Sequence, residues 1–93
     1  MGKMAEKVKE KRVDLGLGVR VFAERLGVSP GYVSRIEVRD EIPSPEMICK
    51  IADALEIKAE DLLDLAKEDV LNRTKEELTL RHTDALRLYR RKK

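Results

Sequence analysis

The stretch from Val19 to Glu37 constrains the fold of this chain more than any other, because its pattern is typical of two short helices joined by a tight turn. Phe22, Ala23 and Leu26 fall on one face of the first helix at helical spacing. Gly27 occupies the place just past the helix end. There the backbone commonly turns left-handed, and glycine adopts that conformation without a Cβ penalty.

The second helix of the pair has an equally clear beginning. Ser29 is placed to cap its N-terminus, and Pro30 stands at the first helical position, where a missing N–H costs nothing. Val33 and Ile36 supply an apolar stripe at a spacing of three, and the small side chain of Ala23 allows the two helices to approach closely. These features at fixed offsets together predict a helix-turn-helix.

The remaining sequence predicts more helices and no strand, since apolar residues nowhere alternate with a period of two. The first helix covers residues 3 to about 15, with Met4, Val8 and Leu15 toward the core. A fourth begins after the Ser44 cap, and a fifth covers residues 59–65. The predicted fold class is therefore all-α.

Two parts of unequal clarity make up the chain, a domain over residues 3–65 and an extension over residues 66–93. Thr74 and Glu77 match a capping box, which predicts a separate helix from about residue 75 to residue 90. The basic run at residues 90–93 is expected to be solvated and frayed. The extension is the less clearly specified part and could be helical or partly disordered.

Composition excludes several classes of protein. No apolar run reaches the length of a membrane span and no signal-peptide pattern is present, so neither a membrane partner nor secretion is expected. The one cysteine, Cys49, cannot form an intramolecular disulfide, and a reducing cytoplasm is the plain inference. Catalysis is not expected, because His82 is the only histidine and no glycine-rich phosphate loop occurs. We expect no metal and no cofactor.

The charge is unevenly distributed. Residues 1–65 carry 11 Lys and Arg against 13 Asp and Glu, whereas residues 66–93 carry 9 against 5. The domain itself is thus slightly acidic, which argues against a strong grip on a phosphate backbone but allows a local positive face.

Residues 8–65 resemble the lambda-repressor-like, Xre-type helix-turn-helix family of bacterial, archaeal and phage regulators. The matching segments are 16–17, 22–29, 33–37, 43–44, 51–55 and 61–63. The resemblance implies five helices, with the third entering the major groove of DNA and the protein normally acting as a dimer on a two-fold site. It also implies a partly buried ion pair between Arg12 of the first helix and Glu37 of the third.

Carried over by position, the resemblance implies a set of residues that face the groove or the phosphates. These are Arg20, Ser29, Pro30, Gly31, Tyr32, Ser34, Arg35 and Arg39. Arg35 is the best candidate for reading a base, because its guanidinium can span guanine O6 and N7; a phosphate contact or plain solvation is the alternative. Tyr32 could contact a phosphate or a thymine methyl, or remain a surface residue. Pro30 and Gly31 offer no side-chain donor, so part of any specificity would come from DNA shape.

The sequence departs from the family pattern near the expected phosphate path. Val19 replaces a glutamine that often holds a phosphate, although Arg20 could do so. After the third helix, Arg39 takes the usual glycine position and is expected to strain the turn. Asp40 and Glu41 take basic positions, and their carboxylates would repel phosphates. These departures weaken the expectation of tight, salt-resistant DNA binding.

Two functions follow from these observations. The first is a sequence-specific DNA-binding transcriptional regulator that binds double-stranded DNA as a homodimer. The second is a protein-interaction module, such as an antitoxin or adaptor, that keeps the fold and binds a protein partner through the extension. Apolar residues left over for a dimer or tail interface are Leu63, Leu65, Val70, Leu71 and Leu78. The alternative is that these residues only cover the core of the monomer.

Overall fold

A computed structural model describes residues 2–92, and within them it contains five α-helices and no strand. The helices are α1 (Lys3–Asp14), α2 (Val19–Leu26), α3 (Pro30–Arg39), α4 (Pro45–Ala54) and α5 (Ala59–Lys92). The predicted all-α class and the order of the helices are confirmed. None of the described helices combines the length and the apolar character needed to cross a bilayer.

The helix ends form where the local signals place them. The Ser29 side chain accepts a hydrogen bond from the Tyr32 N–H at 3.2 Å, and the Ser44 side chain accepts one from the Met47 N–H at the same distance. Gly27 ends α2 with a φ of 72°, in the left-handed region. These contacts satisfy groups that a helix end otherwise leaves unpaired, so α2 and α3 meet at a fixed angle.

One largely aliphatic core lies among the five helices; among the described residues Phe22 is its one fully buried aromatic side chain, and half-buried Tyr32 packs against it. Met4 and Val8 of α1 enter it as predicted, but Leu15 does not, because α1 ends at Asp14 and Leu15 remains 40% exposed. Leu17 is buried in its place. The left-handed turn at Gly16 reverses the chain direction between these two leucines.

The prediction of a separate helix beginning near Lys75 is wrong, because α5 runs without interruption from Ala59 to Lys92. Neither glycine nor proline occurs in this segment, so nothing in the chain stops the helix once Leu62 and Ala66 have packed into the core. Thr74 is a mid-helix residue, and a capping box acts only where the preceding residues are not helical. Arg90 and Arg91 belong to the same helix and are exposed; Lys93 lies outside the described residues.

Asp69 of α5 joins the start of the chain to its last helix. Its buried carboxylate accepts hydrogen bonds from the backbone N–H groups of Lys3 and Met4, both at 3.0 Å. Gly2 donates its N–H to the Asp40 carboxylate at 2.8 Å, and the Arg73 guanidinium donates to the Asp40 carbonyl oxygen. We call this cluster of Gly2, Asp40, Asp69 and Arg73 the N-terminal junction. It ties α1, the loop after α3, and α5 together.

Replacing Asp69 with alanine should lower the free energy of unfolding by about 1–3 kcal/mol, because two buried N–H groups lose their acceptor. Asp64→Ala removes an exposed carboxylate from the same helix and serves as the matched control. Urea unfolding followed by circular dichroism measures both. Equal losses in the two variants would contradict this role for Asp69.

Candidate nucleic-acid interface

One side of helix α3 packs against the rest of the molecule, and the other side is exposed to solvent. Val33, Ile36 and Glu37 are buried against the rest of the molecule. The opposite side carries most of the residues expected to face DNA, and none of the described chain covers it. Ser29, Pro30, Gly31, Ser34 and Arg35 are exposed, and Tyr32 is half-buried. The helix therefore presents a free outward surface about three turns long.

Arg35 projects from the middle of this surface and already has two neighbours. Its Nε lies 3.4 Å from a carboxylate oxygen of Glu41, and its guanidinium carbon lies 5.4 Å from the centre of the Tyr32 ring. The side chains of Arg35 and Glu41 are each nearly half exposed, so the ion pair contributes little net stability. The guanidinium is therefore held in place weakly and can exchange these contacts for others.

The turn after α3 brings Glu41 to this position, and the expectation that Arg39 strains the turn is wrong. Arg39 is the last residue of α3, whereas Asp40 adopts the left-handed conformation with a φ of 56°. Aspartate is among the few residues that tolerate it. The Glu41 N–H then donates to the Arg35 carbonyl oxygen at 3.1 Å and closes the helix end. From the sequence alone, Glu41 is expected only to repel phosphates, because its pairing with Arg35 depends on this turn.

Arg20 and Arg39 are both exposed, one in the first turn of α2 and the other at the end of α3. Val19 is half-buried and packs against the core.

The inner side of α3 is joined to α1 by the ion pair that the family resemblance implies. Arg12 Nε lies 2.8 Å from one Glu37 carboxylate oxygen and Nη2 lies 2.9 Å from the other, while Nη1 donates to the Leu17 carbonyl oxygen at 2.8 Å. Arg12 is 9% exposed and Glu37 is 4% exposed. The hydrogen bonds to Glu37 raise the pKa of the Arg12 guanidinium, so Arg12 stays charged at any physiological pH. Each buried polar atom of the pair has a partner.

The five residues predicted to form a dimer or tail interface do not lie on one surface. Leu63 and Val70 line a groove of about 540 Å³ beside Ile42 and Pro43. Leu65 is half-buried on another side of α5, near Lys7. Leu71 and Leu78 are exposed on the part of α5 that extends past the core. Leu63 and Leu65 thus partly cover the core of the monomer. Leu71 and Leu78 do not cover it.

Comparison with known proteins agrees with this geometry. The profile of a helix-turn-helix family matches residues 8–62, which is more than half of the chain. The chain belongs to the helix-turn-helix family. Within it, the residues and the fold are those of the lambda-repressor-like, Xre-type group.

Two solved structures that resemble the chain are crystal structures of the clp gene regulator ClgR from Corynebacterium glutamicum. One is 31% identical over 70% of this chain and 84% of the chain in that crystal structure, with a TM-score of 0.59. The other is 30% identical over 82% of each chain, with a TM-score of 0.60. A search of curated proteins found no match.

Replacing Arg12 with methionine should lower the free energy of unfolding by about 3–5 kcal/mol, because Glu37 is then left buried without its partner. The double variant Arg12→Met, Glu37→Met should recover most of that loss, since apolar residues of similar volume remove the desolvation cost of both charges. Urea unfolding of the two single variants and the double variant measures the coupling. Additive losses would show that the two residues act independently.

Proposed function

We propose that this helix-turn-helix protein is a sequence-specific DNA-binding transcriptional regulator that acts in the cytoplasm without catalysis or cofactor. The observation that carries the proposal is the open outward side of α3 with Arg35 at its centre. Membership of the family and the likeness to ClgR, a gene regulator, support a DNA-binding regulator in general. In the proposed complex α3 lies in the major groove, and two copies bind a two-fold operator.

Arg35 would read a base, most favourably guanine, by exchanging its contact with Glu41 for the O6 and N7 acceptors. Ser29, Tyr32 and Ser34 offer hydroxyl groups to phosphates or base edges. Pro30 and Gly31 leave the N-terminal end of α3 without side-chain donors, which permits close approach but reads no base. Direct readout by so few groups leaves a substantial role for the shape of the duplex.

Backbone attraction in such a complex would be moderate. Arg20 and Arg39 are the exposed cations that the resemblance places near phosphates, and Asp40 and Glu41 oppose them at the end of α3. Each neutralised phosphate adds about one to the slope of the logarithm of the binding constant against the logarithm of salt concentration, so this slope should be shallow. The same acidic turn is the feature that favours the second candidate function, a protein-interaction module with weak or no DNA binding.

Selection from a pool of random duplexes should recover a two-fold sequence bound by the wild-type protein. Replacing Arg35 with alanine should then cost about 1–3 kcal/mol at one base pair in each half-site and relax the preference there, because a bidentate contact is lost. Lys58→Ala, an exposed cation between α4 and α5, is the control and should leave the preference unchanged. Failure to bind any duplex at low salt would favour the protein-interaction module.

Replacing Glu41 with glutamine should tighten binding to all duplexes by about 0.5–1 kcal/mol at low ionic strength, with a smaller gain at high salt. The change removes a carboxylate next to the expected phosphates and releases Arg35 from its ion pair. Glu10→Gln removes an exposed carboxylate from α1 and is the matched control. Fluorescence anisotropy at two salt concentrations measures both, and an equal effect of the two changes would exclude a local role for Glu41.

A further inference from the structure

The N-terminal junction holds the turn that brings Glu41 to Arg35. The Gly2 N–H donates to an Asp40 carboxylate oxygen at 2.8 Å, in a partly buried contact. The main-chain carbonyl oxygen of the same Asp40 accepts a hydrogen bond from the Arg73 guanidinium. Asp40 is therefore held through its side chain by the residue before α1 and through its main chain by α5.

Asp40 depends on such support because of its backbone conformation. Its φ of 56° lies in the left-handed region, which is unfavourable for a residue with a Cβ. This turn directs the Glu41 N–H to the Arg35 carbonyl oxygen at 3.1 Å, and it leaves the Glu41 carboxylate 3.4 Å from Arg35 Nε. A contact that stabilises Asp40 in the left-handed conformation therefore also keeps Glu41 beside Arg35.

The space around Gly2 has no room for a side chain. A Cβ there would lie 2.9 Å from Asp69 Oδ2 and 3.1 Å from Asp40 Oδ1, which is closer than Cβ atoms normally approach other atoms. Asp69 resists displacement, because its buried carboxylate accepts the N–H groups of Lys3 and Met4. Asp40 is only half-buried. A side chain at position 2 would therefore displace Asp40 first.

We propose that Gly2 is a positioning residue for Arg35. By bonding Asp40 it fixes the turn that keeps Glu41 against Arg35, and in this way it restrains the guanidinium while no DNA is bound. The inference rests on the proposed function, because the restraint affects sequence preference only if Arg35 reads a base. An arginine released from the turn would be free to contact any phosphate, so the preference for one base pair would fall.

Two replacements of Asp40 separate the contact from the charge. Asp40→Asn and Asp40→Gly both remove the carboxylate charge and both tolerate the left-handed conformation, but only asparagine keeps a side-chain oxygen for the Gly2 N–H. The Arg35 Nε–H signal in nuclear magnetic resonance, recorded without DNA, should move in Asp40→Gly toward its position in Glu41→Gln, which lacks the ion pair. In Asp40→Asn it should stay near the wild-type position. Equal signals in the two Asp40 variants would overturn the proposal.

A methyl group at position 2 tests the same contact from its other end. Gly2→Ala should move the Arg35 signal in the same direction as Asp40→Gly. Gly18→Ala is the matched control and should leave the signal unchanged, because a Cβ at Gly18 meets no atom within 4 Å. In a Glu41→Gln background Gly2→Ala should cause no further shift, a result that general loosening of the fold would not give. A further shift there, or an equal effect of Gly18→Ala, would contradict the positioning role.

Duplex binding by the Asp40 variants separates the two proposals. The affinity for the selected duplex, relative to one changed at the base pair that Arg35 reads, should be about two- to fivefold lower in Asp40→Gly than in Asp40→Asn, the range that an exposed ion pair can supply. Sequence-specific binding with equal ratios in the two variants would overturn the positioning role and leave the DNA-binding function standing. A shifted Arg35 signal in Asp40→Gly, in a protein that binds no duplex, would support the positioning role and overturn the DNA-binding function.

Discussion

The buried ion pair between Arg12 and Glu37 is the interaction on which the arrangement of the domain depends. It connects α1 to the inner side of α3, and the third contact of the guanidinium, to the Leu17 carbonyl oxygen, draws in the segment before α2. A buried charge without its partner is expensive, so the relative positions of these segments are restricted to those that keep all three contacts. The outward side of α3 is open because its inner side is held in this way.

On the outward side of α3, the arginine that is proposed to read a base is paired with a neighbouring carboxylate. Arg35 rests between Tyr32 and Glu41, and both contacts are solvent-accessible. Since a solvated ion pair is worth little, a base edge could replace Glu41 at small cost, while phosphates are opposed by the same carboxylate. Such a surface would favour discrimination between sequences over tight binding to any duplex.

The N-terminal junction links the end of α3 to α5. Asp40 follows directly after α3, and its carbonyl oxygen accepts a hydrogen bond from Arg73, just where α5 leaves the core. Asp69 holds the start of α1 one turn earlier on the same helix. The position of α5 relative to the end of α3 is therefore set by a shared group of contacts.

By itself the sequence determined the features that depend on local chemistry. These are the all-α class, the caps at Ser29 and Ser44, the left-handed end at Gly27 and the apolar faces of α2 to α4. Each of these depends on groups within about one helical turn of one another. The resemblance to a known family added the pairing of Arg12 with Glu37, which spacing alone does not show.

The tertiary structure decided the rest. The burial of Leu17 rather than Leu15, the left-handed Asp40 and the single long α5 all result from contacts distant in sequence, such as the one between Gly2 and Asp40, 38 residues apart. The four residues from Thr74 to Glu77 by themselves favour the start of a new helix. The helix continues through them because it is already anchored by Leu62, Ala66 and Asp69. Local preferences of a few tenths of a kcal/mol to about 1 kcal/mol yield to packing of this kind.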